Sequence, residues 1–401
     1  MTWTQKAHQA GIFLTIGSGF VIPISTTLTD LFTALALLCW LLAGHYKTFA
    51  EQVRSNPLVR AALLLFLVLV VGLIYTSASF ADAGRILKKY RELLFLMVFI
   101  SFLTTERFRE LAVQVFALAM VVSLIVSFYK FYFVLDPLHP GFTLGSPFKS
   151  RIPYSFLLAV FAYGIMTHIL FKKYPRKHVM ALSVVFMIAT FNLFFMVNGR
   201  TGYVIFYLLG ILLLIQKFKW RAAYGLVLFV VLHLGLSSVS DLYKNRMDET
   251  IVNAENYFKE GNTETSIGQR LEFMINAYQL FTESPVYGHG TGSFKGQYAA
   301  LAETKGLRYK TVNPHNEFLM IGVQTGLIGI GCFIYFLYCL WKYSFQLSPF
   351  NRNLALGLAV ATTAGSMFNS VLLDHTEGFF IIYFTAVFFS PLIHRGKTEN
   401  A

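Results

Sequence analysis

Apolar runs recur along the chain at lengths that suit a bilayer, whose hydrocarbon is about 30 Å thick and is crossed by roughly 20 helical residues. They fall near residues 8–25, 27–45, 58–75, 90–104, 110–134, 153–171, 179–197, 202–217, 221–239, 316–341, 354–373 and 377–393. The pattern predicts an all-α, polytopic membrane protein of about twelve transmembrane helices, the 90–104 and 202–217 runs being the shortest. Only one long polar stretch interrupts the series, residues 240–315. It divides the chain into about nine spans over 1–239, a loop over 240–315, and about three spans over 316–401.

Within the loop, Leu271, Met274, Ile275, Tyr278 and Phe281 recur at helical spacing. They predict an amphipathic helix over 266–281 whose apolar stripe lies against the membrane or the bundle. Ser284-Pro285 stops that helix, a glycine-rich turn from Tyr287 to Ser293 follows, and a second short helix is expected near 294–304. The chain then reaches Asn313-Pro314-His315-Asn316-Glu317. Asn313 reads as an N-cap and Pro314 as the first helical residue, which puts His315 in the first turn of the helix that follows. Free backbone N–H groups and the positive helix end gather there, attracting anions and favouring a neutral imidazole.

Charge sharpens the topology. Hydrophobic residues make up 56% of the 401-residue chain and charged ones 13%, with a net charge of +13. The basic residues sit in short clusters between apolar runs, the positive-inside pattern of membrane proteins and not a nucleic-acid surface. Lys47 and Arg54, Arg107 and Arg109, the 172–177 cluster, Lys217 to Arg221, Lys342 with Arg352, and Arg395 with Lys397 mark the cytoplasmic side, which both termini share. The first run, lacking a small-residue cleavage site, reads as a retained span. The loop over 240–315 faces the other side and is near neutral, with eight Lys/Arg against nine Asp/Glu. Cys39, Cys332 and Cys339 fall inside apolar runs, so they suggest neither a disulfide framework nor a zinc site.

Several outward residues contradict the topology rule and so need a reason. Arg200, in Asn198-Gly199-Arg200-Thr201-Gly202, stands in a short outer turn, where a guanidinium either snorkels to headgroups or clamps an anion. Arg270 follows Ser266-Ile267-Gly268-Gln269 on the same side, and Arg85, Lys88, Lys89 and Arg91 form an outward basic group that either anchors a span or meets phosphates. His289, among glycines, either positions a substrate or builds a turn. His375, in Asp374-His375-Thr376-Glu377, is placed to share a cavity with His315. A metal site from His315, His375, Asp374 and Glu377 lacks diagnostic ligand spacing, and the chain has no Asp-x-Asp pair, which favours arginine over metal as the neutraliser of a diphosphate. No Walker loop or dinucleotide fingerprint is present, so neither a metal nor another cofactor is expected.

Together these residues resemble the bacterial O-antigen ligase family. The resemblance rests on the Asn198–Gly202 turn between two spans, Ser266 to Arg270 in the long loop, Gly288-His289-Gly290, and above all Pro314-His315-Asn316-Glu317-Phe318-Leu319 opening the next span. Asn369-Ser370 and Asp374 to Glu377 extend it toward the end of the chain. The same superfamily holds O-antigen polymerases and protein O-oligosaccharyltransferases, which remain as alternatives; a polysaccharide or lipid transporter ranks below them, because it leaves His315 without a task.

The resemblance implies an inner-membrane, metal-independent, inverting glycosyltransferase of the GT-C class, with its long loop and active site in the periplasm. It implies an undecaprenyl-diphosphate-linked O-antigen as donor and a sugar hydroxyl of the lipid A-core oligosaccharide as acceptor. Carried over by position, His315 assists the acceptor hydroxyl as base, and Arg200 and Arg270 bind the diphosphate. Lys89, Arg91, His289 and His375, with Asn316 and Glu317 of the histidine motif, are the further candidates for substrate binding.

Overall fold

A computed structural model describes residues 1–134, 145–219 and 223–392. Arg221, Arg395 and Lys397 of the expected cytoplasmic clusters, and the first part of the connection between the 110–134 and 153–171 runs, lie outside the described residues. Among those described the chain is helical and has no strand. The first helices are α1 (Trp3–Val21), α2 (Thr26–Leu42), a short 3₁₀ turn His45–Thr48 running into α3 (Phe49–Ser55), and α4 (Pro57–Val71). Then come α5 (Phe80–Lys89), α6 (Glu92–Phe102), α7 (Glu106–Phe133), α8 (Arg151–Phe171), α9 (Arg176–Phe195), α10 (Arg200–Phe218) and α11 (Ala223–Val239). The long polar loop holds α12 (Asp241–Glu260), α13 (Ser266–Glu283) and α14 (Phe294–Lys305), before α15 (Glu317–Ser344), α16 (Pro349–Phe368) and α17 (His375–Phe389).

Each of the twelve apolar runs falls on a helix, but the helices are not alike. Among the described residues five, namely α7, α8, α9, α10 and α15, are long and apolar enough to cross a membrane, and a sixth span is possible if α2 and the segment His45–Ser55, bent by 80°, count as one. The protein is a polytopic membrane protein on that ground. By contrast α6 and α17 have 11 and 15 residues, about 16 and 22 Å of helix, short of the hydrocarbon thickness. Both are buried on nearly every side and pack on each other, with Phe95 and Phe99 against Phe379 and Tyr383. Their sequences are apolar all round because protein surrounds them. An apolar run therefore reports burial here, not always lipid.

Three helices went unread in the sequence, the short α3 and two longer ones. α5, amphipathic and charged, occupies the loop before α6, and α12 opens the long polar segment, each capped by a serine: Ser79 accepts from the Asp82 amide and Ser240 from the Tyr243 amide. The α13 prediction needs a correction of face. Its packed side is Phe273, Asn276, Ala277 and Leu280, whereas Ile275 and Tyr278 of the expected stripe are exposed. Asn276 joins that face because its amide bonds to the Glu272 carbonyl and accepts from Lys305 of α14, so a polar residue takes part in the packing that periodicity assigns to apolar ones.

The loop is tied to the bundle at a break in α15. Gly326 has φ 62° and ψ −157°, a conformation available essentially to glycine alone. A Cβ there would lie 2.3 Å from the carbonyl of Val286. The groups the break leaves unpaired are met by the turn after α13: the Leu327 amide donates to Pro285 O (2.7 Å), the His289 amide to Val323 O (2.9 Å) and the Gly290 amide to Gln324 O (2.8 Å). Irregular backbone at this depth survives because protein supplies those partners.

Candidate active site

The starts of α8, α10, α15 and α17 carry the chemistry. Their first residues are Arg151, Arg200, Glu317 and His375. Helix starts expose free amides and the positive dipole end, so a cluster of them suits an anion. Gly199 and Gly202 bring α10 tight against α8: a Cβ on either would lie 2.2–2.4 Å from the Ser155 side chain.

His315 stands just before α15, not in its first turn as the sequence suggested. Asn316 is the true N-cap, its side chain accepting from the Leu319 amide at 3.0 Å. The displacement has a local cause. Asn313 turns its Oδ1 to the His315 amide (2.8 Å) and accepts from Ser370 Oγ (2.7 Å), which closes a tight turn and leaves His315 in the left-handed region at φ 55°. A non-glycine residue held there costs on the order of 1 kcal/mol, and such strain clusters at functional sites.

The ring of His315 has a defined orientation. Asn369 donates its Nδ2 to Asp374 Oδ2 at 2.7 Å, so its Oδ1 faces His315 Nδ1, a long contact at 3.4 Å. A carbonyl oxygen there makes Nδ1 the protonated nitrogen and leaves the Nε2 lone pair free. Burial, with the charge of Arg270 adding to it, pushes the imidazole down to about 4. His315 is therefore a neutral acceptor at neutral pH. Burial raises the Asp374 carboxyl, opposed by the Asn369 hydrogen bond and by Lys89 and Arg270.

Arg270, on α13, makes no hydrogen bond or ion pair among the described residues, although burial, Arg200 and Arg151 together push it down to about 10. It stays charged at neutral pH and has its donors free. Arg200 donates to Ser266 Oγ (3.2 Å) and to Glu249 (3.3 Å), and its Nε is enclosed without a partner. Glu249 also pairs with Arg246 at 2.7 Å, and Arg151 reaches Asn198 at 3.4 Å. One carboxylate thus answers several guanidiniums. Such an arrangement can hold a doubly charged anion beside a neutral base.

Residues 182–334 match the family model described as O-antigen ligase. The match covers a little over a third of the chain, which is similar to that family over this stretch. An uncharacterized protein of Haemophilus influenzae is 24% identical over 180 residues, 43% of this chain and 45% of that one, so the likeness spans a little under half of each. The matched O-antigen ligase segment contains Arg200, Arg246, Arg270 and His315, while Arg151, Asn369 and Asp374 come to it from outside.

Around the matched segment the other candidates divide. Glu317 is fully buried and accepts from Tyr90 Oη (2.6 Å) and the Leu372 amide (2.8 Å), tying three segments together. Asn316 caps α15 and donates to Met367 O at 3.1 Å. His289 bonds to Leu280 O at 2.8 Å and belongs to the turn that mends the α15 break. His375 turns to Asp30 at 2.8 Å, a carboxylate that Arg91 also grips, and not to His315. No group of three or more His, Cys, Asp or Glu is placed to hold a metal ion among the described residues. Lys89 is exposed, and Asp374 feels its charge. Arg151 and Arg246 were missed by sequence reasoning, which had weighed outward arginines only in short motifs or in the Arg85 to Arg91 cluster. Lys149 was missed too: its enclosed amine has no hydrogen-bond partner, faces Glu377 and Asp30, and burial pushes it down to about 8.

Proposed function

We propose that the protein is an O-antigen ligase, an inverting, metal-independent glycosyltransferase of the GT-C class in the bacterial inner membrane. Both termini are cytoplasmic and the site faces the periplasm, with residues 240–315 as its lid. The donor is an undecaprenyl-diphosphate-linked O-antigen and the acceptor a sugar hydroxyl of the lipid A-core. The observation that carries the reading is a neutral His315, its Nε2 free, next to Arg270 with an unengaged guanidinium.

In this reading the acceptor hydroxyl attacks the anomeric carbon from the side opposite the diphosphate. The new C–O bond forms as the bond to the diphosphate oxygen breaks, and the hydroxyl proton passes to His315 Nε2. Negative charge grows on the leaving diphosphate. Arg270 and Arg200 neutralise it, with Arg151 and the amides at the helix starts adding to the field. Asn369 keeps the imidazole in the tautomer that accepts a proton, and Asp374 keeps Asn369 in place. The lid excludes water, whose attack would release free polysaccharide.

The test is transfer in proteoliposomes from carrier-linked glycan to lipid A-core, in EDTA. Wild type is expected to transfer, and His315→Gln and Arg270→Gln to lose at least about a hundredfold in rate. Undiminished transfer in both variants would sink the reading. Activity abolished by EDTA and restored by a divalent ion would sink the metal-free mechanism, and transfer to a protein or to a second carrier-linked chain instead of lipid A-core would move the acceptor.

A further inference from the structure

A second feature lies away from the arginines. Between α7, α8, α9, α16 and α17 there is a cavity of about 480 Å³ whose wall is almost wholly apolar, with Ala117, Val121, Leu182, Val185 and Phe384 among its lining. Leu118 both lines it and is 56% exposed, so the cavity opens sideways from the bundle at that residue. Three of its walls, α7, α8 and α9, are helices long and apolar enough to cross a membrane. The opening therefore faces hydrocarbon.

One end of the cavity is different. His168, Tyr174 and His178 line it there, with His168 Nδ1 and Tyr174 Oη 2.9 Å apart. Between His168 and His178 run Lys172, Lys173, Arg176 and Lys177, with no acidic residue among them. None of the four has an ion-pair partner among the described residues; Lys172 lies over the Phe350 ring at 4.6 Å and the others are exposed. An apolar slot that ends in a cluster of unpaired cations has the charge and shape of one ligand class, an acyl chain bearing an anionic headgroup.

We propose that this cavity binds one acyl chain of an anionic phospholipid, with its phosphate seated on the basic 172–177 segment. The site is independent of the proposed transfer reaction. It touches that reaction only through the scaffold: α8, α16 and α17 form its walls, and their opposite ends present Arg151, Asn369 and Asp374. A filled cavity holds those helices at fixed spacing, as packing in the absence of voids requires.

Gly164 supplies the means of testing it. It lines the cavity, and a Cβ at this position meets nothing within 4 Å, so Gly164→Leu has room at its Cβ to send a side chain into the slot. The probes are phosphatidylglycerol and phosphatidylcholine, each with the same photoreactive diazirine acyl chain, added to the purified full-length protein in nanodiscs. Phosphatidylglycerol is expected to label peptides of α7, α8 and α9 in the wild type, and labelling there is expected to fall several-fold in Gly164→Leu. Replacing Lys172, Lys173, Arg176 and Lys177 together by Gln is expected to erase the preference for phosphatidylglycerol over phosphatidylcholine, a loss of about tenfold. Three results overturn the proposal: equal labelling by both lipids in the wild type, labelling unmoved by either variant, or displacement of phosphatidylglycerol by a polyprenyl phosphate, which would make the slot a carrier-tail site. Should Gly164→Leu fail to fold, the quadruple Gln variant, altered only on the surface, still decides between these results.

Discussion

Replacing Arg270 by Gln tests how far one charge sets the protonation of another group. His315 is held at about 4 against an ordinary 6.5, with burial the larger cause and Arg270 the next. At 1.36 kcal/mol per pKa unit, that gap corresponds to about 3 kcal/mol favouring the neutral ring. Since burial leads, removal of Arg270 should return on the order of one unit or less. The assay is the pH dependence of kcat/KM for glycan transfer, which reports the free enzyme's base. Wild type should be flat from about pH 5 to 7, and its acid limb should lie near 4. In Arg270→Gln the limb moves up in pH while the plateau falls, because the diphosphate loses a partner; in Arg270→Lys the limb stays and the plateau still falls, because a point charge lacks the fork. Stability follows the same sign. The unfolded chain takes up a proton at His315 below 6.5 and the folded one only near 4, so across that window stability falls as pH falls. A wild-type limb at 6.5, or one that Arg270→Gln leaves in place, would refute the coupling.

Glu249→Gln should lower the donor KM by up to about fivefold, because the carboxylate bridging Arg200 and Arg246 must yield to the diphosphate and a half-exposed pair is worth about 1 kcal/mol or less; an unchanged or raised KM would mean that Glu249 does not compete. Gly326→Ala forces a side chain into a glycine-only conformation 2.3 Å from a carbonyl, so the thermal midpoint in detergent should drop by the equivalent of about 1–3 kcal/mol or more; a midpoint equal to wild type would contradict the break. Glu317→Ala strips the acceptor from two buried donors, the Tyr90 hydroxyl and the Leu372 amide, at a cost of about 2–5 kcal/mol, whereas Glu317→Gln keeps one acceptor oxygen and should cost less. Chemical denaturation of the two variants, compared with wild type, checks that order.

The sequence could be read wherever a local rule had no competitor. The helical positions, the stop at Ser284-Pro285 and the second helix near 294–304 all follow from periodicity and turn chemistry. The start of α15 did not, because Asn313 and Asn316 are both good caps and the choice depends on Ser370, a residue far along the chain whose hydroxyl donates to Asn313 Oδ1. Apolar runs could not separate lipid from protein surroundings, so α6 and α17 looked like ordinary spans. Arg151 and Arg246 became visible only in three dimensions. Each sits in a sequence that any helix start or charged helix would carry, and only Glu249, Asn198 and the neighbouring arginines mark them out.

The arrangement of charge also explains why the site is built from so many separate elements. Burial first, and then Arg200 and Arg151, make Arg270 hold its proton less readily. Four helix starts add partial positive charge to the same end of the bundle. Left to itself that end would push apart, since like charges in a partly desolvated site repel strongly. A rigid frame resists this: α8 and α10 meet through glycines too close for any side chain, Glu317 joins α15 to the 371–373 turn and Tyr90, and the α15 break is stitched to the loop that carries Arg270. Glu249 is the sole carboxylate hydrogen-bonded to Arg200 among the described residues, and it sits half-exposed on α12. The frame therefore stores an unmet demand for negative charge, which a mobile anion such as the proposed diphosphate would meet better than a fixed side chain. A permanent second carboxylate would calm the empty site and would compete with the ligand at every turnover.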